Sequence, residues 1–145
     1  VIFIGEQVHI PKSYRRFEGL LTKLYQEKEI KYDKKDYNKY LLKIEKNMTL
    51  DNLLDKIIKP DKVIGFSSTG ILKDLKNIVY ENIETNDKKI VFVIGGFQSG
   101  HFSQSTRERF HMTYSISKER LEAHVVLSRL VYECENHLFN FPGLS

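Results

Sequence analysis

Apolar positions along the chain form two patterns, short continuous runs and stripes at helical spacing. Runs that predict strands lie at 1–5, 40–46, 62–70, 89–94 and 113–117. The run at 62–70 is expected to be a strand that ends in a turn of small residues. Stripes that predict helices lie at 17–25, 50–58, 71–79 and 121–139. Because strands and helices alternate, the pattern predicts an α/β fold with a mostly parallel sheet.

Local signals predict where the helices begin. Ser13 is the expected N-cap of the first helix, Thr49 or Asp51 that of the second, and Ser117 that of the last. The charged, tyrosine-rich segment 27–40 has no clear period and predicts an exposed loop.

Composition predicts one soluble intracellular domain over residues 1–145. Hydrophobic residues make up 41% of the 145 positions and charged residues 29%, and no apolar run is long enough for a membrane span. Because Val1 falls within an apolar run, an N-terminal segment is expected to be missing. The single cysteine, Cys134, lies in an apolar helical stretch and is expected to be a buried small hydrophobe. The histidines show no metal-ligand spacing, so no metal site is expected.

Three predicted strands run into segments rich in glycine, serine and threonine. These segments follow the apolar runs in KVIGFSSTG, VIGGFQSG and TYSISKER. Ligands of open α/β sheets bind beyond the carboxyl ends of strands, so the three segments are expected to meet around one ligand. GGFQSG lacks both GxGxxG spacing and a following GK[ST], which favours a ligand held by backbone and apolar contacts, such as an adenosyl group. Alternatively, Gly95, Gly96 and Gly100 only turn the chain.

The segment HIPKSYRRF, residues 9–17, is basic in a chain whose formal net charge is +4. Its basic residues are His9, Lys12, Arg15 and Arg16, with Tyr14 and Phe17 between them. Lysine and arginine bind phosphates and aromatic rings stack on bases, so the segment is a candidate nucleic-acid surface. The alternative is a solvated helix start, and Phe17 faces the core under either interpretation.

Four segments occur in an order that resembles one protein family. They are VHIPKSYRRFEGLLTKL, LLKIEKN with KVIGFSSTG, VIGGFQSG, and YSISKERLEA. The first, third and fourth are similar to R-x-P-R-x-x-x-R-F-x-G-L-M, V-x-G-x-F-x-H-G and S-I-S-x-x-P-L-x-A. These patterns are typical of the pseudouridine-N1-specific methyltransferases of small-subunit rRNA, ribosome biogenesis factors of the SPOUT class.

This resemblance implies a SPOUT-type sheet with a C-terminal trefoil knot, a homodimer, and S-adenosylmethionine as methyl donor. It places rRNA contacts at His9, Lys12 and Arg16. It places donor contacts at Thr69, Gly70, Gly95, Gly100, Ile116, Ser117, Lys118, Glu119, Arg120 and Leu121.

Several positions depart from the family pattern. Ser99 replaces the loop histidine, with His101 beyond the glycine, and Arg120 replaces a proline. His9 and Lys12 replace arginines, and lysine lacks the bidentate fork of arginine. No residue of the chain is identified as the general base.

Two other functions remain open, a noncatalytic RNA-binding ribosome assembly factor with the same fold and a nucleotide-binding α/β module unrelated to RNA. The last helix carries apolar residues on more than one face, which predicts either a dimer contact or a helix buried within one subunit. The family's proteins are cytoplasmic in archaea and nucleolar in eukaryotes, and the high lysine and isoleucine content favours an archaeal source.

Overall fold

The structure is a computed structural model. It describes residues 1–5, 9–31, 40–83, 88–96 and 100–139. The chain divides into two compact units, Val1–Thr49 and Leu50–Ser145. The single domain over the whole chain stays a prediction.

The first unit is a three-stranded antiparallel sheet with one helix. Its elements are β1 (Ile2–Ile4), α1 (Tyr14–Glu27), β2 (Glu29–Lys31) and β3 (Tyr40–Ile44), and the strand order is β1-β3-β2. Ser13 caps α1 as predicted, because its side-chain oxygen accepts a hydrogen bond from the Arg16 N–H. The core of the unit consists of Leu24, Ile30, Leu42 and Ile44.

Two predictions about this unit were wrong. The sheet is antiparallel rather than parallel, because β1 and β2 both run opposite to β3. β1 is not buried, since Ile2 is 41% and Ile4 62% exposed. The cause is the position of α1, which packs mainly against β2 and β3.

The predicted loop at 27–40 is partly a strand. Glu29–Lys31 pairs with β3 as β2, with an irregularity between Ile30 and Lys31. The rest of the predicted loop, 32–39, lies outside the described residues.

The second unit contains the predicted parallel sheet, with strand order β5-β4-β6. Its helical elements are α2 (Leu50–Asn52), a π-helical segment (Leu53–Ile58), α3 (Leu75–Asn82), α4 (Gln104–Glu108) and α5 (Ala123–Phe139). Its strands are β4 (Lys62–Leu72), β5 (Ile90–Ile94) and β6 (Met112–Ser115). The core packs β4 against α3 and α5 through side chains that include Ile64, Ile78, Val79 and Leu130.

β4 is longer than predicted. Residues 67–70, expected to turn, and Ile71 and Leu72, expected to be helical, all belong to the strand. Ile71 pairs with Tyr114 and Leu72 with Ser115, after a register shift that begins at Phe66. Pairing with β6 therefore decides the conformation of this segment, and α3 begins only at Leu75 behind its N-cap Asp74.

The last helix begins later than predicted, and Ser117 does not cap it. α5 starts at Ala123, whereas the Ser117 hydroxyl accepts a hydrogen bond from the Glu119 N–H within the preceding turn. Within the described part of the chain, no helix is long and apolar enough to cross a membrane.

Candidate functional site

A cavity of about 590 Å³ lies at the carboxyl ends of the parallel strands in the second unit. Phe66 of β4 pairs with Ile94, the last residue of β5, and with Tyr114 of β6, and all three line the cavity. This is the edge at which parallel α/β sheets bind ligands, and the volume falls in the range typical of small-molecule sites.

Most of the predicted donor-binding residues line this cavity. They are Gly95, Gly100, Ile116, Ser117, Glu119, Arg120 and Leu121. The segments after β5 and β6 therefore meet at one site, as their positions after parallel strands predicted.

Thr69, Gly70 and Lys118 are not among the lining residues of this cavity, and β4 contributes Ser67 and Ser68 instead. Gly70 packs against β6, where an added Cβ would lie 2.5 Å from the Tyr114 carbonyl carbon. Glycine at position 70 is thus explained by close strand packing. The Thr69 hydroxyl lies 3.1 Å from the Ser67 hydroxyl, so it contacts a residue of the cavity wall.

Two serines fix the turn that follows β6. Ser115, only 8% exposed, donates its hydroxyl to the Ser117 carbonyl oxygen at 2.8 Å. The Ser117 hydroxyl in turn accepts from the Glu119 N–H at 3.1 Å. These bonds stabilise the conformation of the turn from within the protein. Ser115 was not a candidate from sequence, although its place at the end of a strand could have indicated it.

The cavity combines apolar, charged and backbone surfaces. Phe66, Tyr114 and Leu121 supply apolar walls, while Glu119 and Glu122 supply carboxylates that accept hydrogen bonds from hydroxyl or amino groups. Such a lining suits a ligand with a planar apolar ring and a polar, hydroxylated remainder.

The Tyr114 ring is held from outside the cavity by Lys73. The Lys73 Nζ lies 5.6 Å from the ring centroid, and its backbone N–H donates to the Ser115 carbonyl oxygen at 2.9 Å. A hydrogen bond to Glu81 raises the pKa of Lys73 above its ordinary value, which keeps the cation charged beside the ring.

Gly100 in the loop after β5 is distinguished from Gly96 by its backbone conformation. Gly100 has φ +93, which favours glycine, and an added Cβ at either position meets no described atom within 4 Å. The rest of that loop, 97–99, lies outside the described residues, as does the Ser99 position of the family comparison.

A second cavity, of about 510 Å³, has a mixed charged and apolar lining that includes the ion-paired Asp55 and Arg109. Arg109 forms ion pairs with Asp51 and Asp55, and the His111 Nδ1 accepts from the Val63 N–H at 3.0 Å. These contacts join the helical segment at 50–58 to the start of β4 and β6. A role in stabilising the fold therefore explains these charged residues. Among the described residues, no group of three or more histidine, cysteine, aspartate or glutamate side chains could hold a metal ion.

The predicted RNA-contacting residues lie in the first unit. His9, Lys12 and Arg16 are all exposed, and Arg16 belongs to the first turn of α1. Their side chains are therefore accessible to a macromolecular ligand.

Comparison with known proteins identifies one family. Residues 1–135 match the family model described as EMG1/NEP1 methyltransferase. A protein named ribosomal RNA small subunit methyltransferase Nep1 from Staphylothermus marinus is 31% identical over 140 residues, 97% of this chain and 57% of that protein. A protein of the same name from Thermoplasma volcanium is 38% identical over 121 residues, 83% of this chain and 49% of that protein. The chain thus spans about half the length of these curated relatives.

One solved structure shares the fold. The crystal structure described as Archaeoglobus fulgidus Nep1 bound to S-adenosylhomocysteine aligns with a TM-score of 0.66 at 20% identity. The alignment covers 93% of this chain and 56% of that chain.

Proposed function

We propose, given that the chain belongs to the EMG1/NEP1 methyltransferase family, that it transfers a methyl group from S-adenosylmethionine to small-subunit rRNA. We propose N1 of a pseudouridine as the acceptor atom and ribosome biogenesis as the process. The observation that carries this proposal is the cavity at the carboxyl ends of β4, β5 and β6. The relatives from Staphylothermus marinus and Thermoplasma volcanium support the rRNA substrate through their names.

The lining of the cavity fits the proposed donor. Phe66, Tyr114 and Leu121 would enclose the adenine ring, and the backbone groups of Gly95 and Gly96 are open to its polar edge. Glu119 and Glu122 would accept hydrogen bonds from the ribose hydroxyls or the amino group. When bound, S-adenosylmethionine supplies a methyl group already activated by a sulfonium charge. The described residues therefore need to orient the two reactants rather than to activate the donor.

The basic residues at the start of α1 are proposed to position the RNA. Lys12 and Arg16 are exposed cations suited to phosphate contacts, which hold the nucleic acid without reading its sequence. The target base must leave its stack to reach the methyl group, so an unpaired or flipped nucleotide is the expected substrate.

A C-terminal trefoil knot and a homodimer complete the proposal. The shared fold with the Archaeoglobus fulgidus protein supports the SPOUT-type architecture. The dimer is supported by α5, which leaves Leu127 52% and Val131 47% exposed beside its core-packed face.

Mass spectrometry of small-subunit rRNA from cells with and without the gene tests the reaction. We expect one methylated pseudouridine to be lost with the gene and restored by its reintroduction. An unchanged nucleoside profile would contradict the proposed methylation.

Calorimetric titration of the purified protein separates the alternatives. We expect S-adenosylhomocysteine to bind and ATP not to bind. RNA binding without any S-adenosylhomocysteine binding would favour a noncatalytic assembly factor, and ATP binding would favour a nucleotide-binding module unrelated to RNA.

A further inference from the structure

Tyr14 is an aromatic residue that the fold leaves on the surface. It is the first residue of α1, and it is 77% exposed. Further along the same helix, Leu20, Leu21 and Leu24 pack against the sheet of the first unit. Since so little of the Tyr14 side chain is buried, packing of this unit does not explain the aromatic ring at this position.

The residues around Tyr14 are exposed cations. Lys12 precedes it, and Arg15 and Arg16 follow it, all three with exposed side chains. The ion pairs observed in the described part of this unit involve other lysines and join Lys23 to Glu27, Lys31 to Glu29 and Lys43 to Glu45. Lys12, Arg15 and Arg16 are thus available to an external anion.

These cations oppose the electrostatics of the helix. The first turn of α1 contains no acidic residue, and it carries Arg15 and Arg16 instead. The N-terminus of a helix is the positive end of its dipole, where acidic side chains stabilise and basic ones do not. Helix stability therefore does not explain the two arginines, whereas a bound polyanion does.

We propose that Tyr14 stacks on an unpaired base of the RNA whose phosphates contact Lys12, Arg15 and Arg16. This inference rests on the proposed function for the identity of the ligand as RNA. An aromatic face beside clustered cations is the combination by which proteins bind single-stranded nucleic acid, because stacking holds the bases and the cations hold the backbone. A paired duplex offers no free base face at this position, so the surface recognises a single-stranded loop.

The test compares two RNA probes and three variants. The probes are a hairpin with a single-stranded loop and a blunt duplex of the same length, and the variants are Tyr14→Ala, Tyr14→Phe and Tyr25→Ala. Tyr25 is the matched control, because it is 60% exposed on the same helix but lies away from the basic segment. Circular dichroism and S-adenosylhomocysteine affinity show whether each variant is folded.

We expect Tyr14→Ala to weaken hairpin binding by roughly fivefold to a hundredfold, the range reported for loss of one stacked base. Tyr14→Phe is expected to retain the affinity, because the ring remains, and Tyr25→Ala to leave it unchanged. The salt dependence also separates the two roles. Tyr14→Ala keeps the slope of log affinity against log salt, whereas Arg15→Ala makes it less steep by about 0.7 for one lost phosphate contact.

Two outcomes overturn the inference. If a folded Tyr14→Ala protein binds the hairpin as the wild type does, or loses duplex and hairpin affinity equally, Tyr14 does not stack on an unpaired base. A wild-type protein that binds neither probe overturns the rRNA part of the proposed function as well. If the wild type binds the hairpin and Tyr14→Ala binds it equally well, only the stacking role of Tyr14 is overturned.

Discussion

Glycines in and near the cavity are explained by different physical reasons. At Gly70, an added Cβ would lie 2.5 Å from the Tyr114 carbonyl carbon, so strand packing excludes a side chain. At Gly100, a φ of +93 favours glycine whatever the space. At Gly96, an added Cβ meets no described atom within 4 Å, yet the residue lines the cavity. Gly96 is therefore the position at which a side chain would occupy ligand space without straining the fold.

Gly96→Val tests the donor site. We expect S-adenosylhomocysteine affinity, measured by calorimetry, to fall about tenfold or more. The added methyl groups would occupy ligand space, and overpacking of this kind costs about 1–3 kcal/mol. The Tm should change little. Gly19→Val is the control, since Gly19 also has open space around its Cα but lies in α1. Equal affinity in both variants would show that Gly96 does not face the donor.

Cys134 is expected to be a poor nucleophile. Burial, with the charges of Glu133 and Glu135, raises the pKa of its thiol above the ordinary value. The folded protein then holds the thiol proton more strongly than the unfolded chain does. The free energy of unfolding therefore falls as the pH rises through and above the ordinary thiol pKa, about 8.5.

Maleimide labelling measures the reactivity of the Cys134 thiol directly, because Cys134 is the only cysteine in the sequence. Labelling of the folded protein at pH 7 should be slower than labelling of free cysteine, and denaturant should remove the difference. A rate equal to that of free cysteine in the folded protein would show that the thiol is accessible and unperturbed.

The candidate site could be predicted from sequence where chain order alone decides position. Gly95 and Ile116 directly follow strands, and both line the cavity. Ser67 and Ser68 could not be distinguished from Thr69 and Gly70, because a shift in the pairing of β4 with β6 separates them. A register between strands distant in sequence leaves no local signal in either strand.

At the scale of elements, α5 has two apolar faces with different surroundings. Val126, Leu130 and Cys134 pack against the core of the second unit, and Leu130 is only 5% exposed. Leu127 lies three residues before Leu130, beside that face rather than on it, and is 52% exposed. The stability of this unit should therefore depend on one face of α5 far more than on the other.

Leu130→Ala and Leu127→Ala compare these faces with the same chemical change. Leu130→Ala should lower the free energy of unfolding by about 2–5 kcal/mol, the usual cost of truncating a buried leucine. Leu127→Ala should lower it by less than about 1 kcal/mol, as is usual for surface positions. Urea denaturation at a protein concentration low enough to keep the protein monomeric measures both, and equal losses would contradict the assignment of the faces.

The elements themselves were predictable where local pattern and tertiary contacts agree. For α1 the structure contains the predicted serine cap and the packed leucines of the predicted stripe, whereas Tyr25 at the end of that stripe is 60% exposed. The predictions for β1 and for the end of β4 were wrong, because strand pairing and helix packing decide these two elements. Ile2 and Ile4 stay exposed because α1 packs mainly against β2 and β3, and Ile71 and Leu72 pair with β6 although they begin the segment 71–79 that was predicted to be helical.

At the scale of the whole molecule, the exposed face of α5 bears on the proposed homodimer. Leu127, Val131 and Leu138 are spaced by four and seven residues, so they form one stripe along the helix. They are 52%, 47% and 56% exposed, so the described part of the chain leaves this stripe in contact with solvent. A stripe of large apolar side chains that a subunit leaves in water is typical of a surface that pairs with its own copy.

Val131→Glu tests this contact by placing a charge at the centre of the stripe. In a symmetric dimer each copy contributes the same charge, so the two carboxylates would be desolvated near each other and association should weaken by at least tenfold. Sedimentation at micromolar concentration should then show dimers for the wild type and monomers for the variant. Arg129→Glu is the matched control, because Arg129 is exposed on α5 about half a helical turn away from Val131. A wild-type protein that sediments as a monomer, or a Val131→Glu protein that remains a dimer, would show that this face of α5 is not the subunit contact.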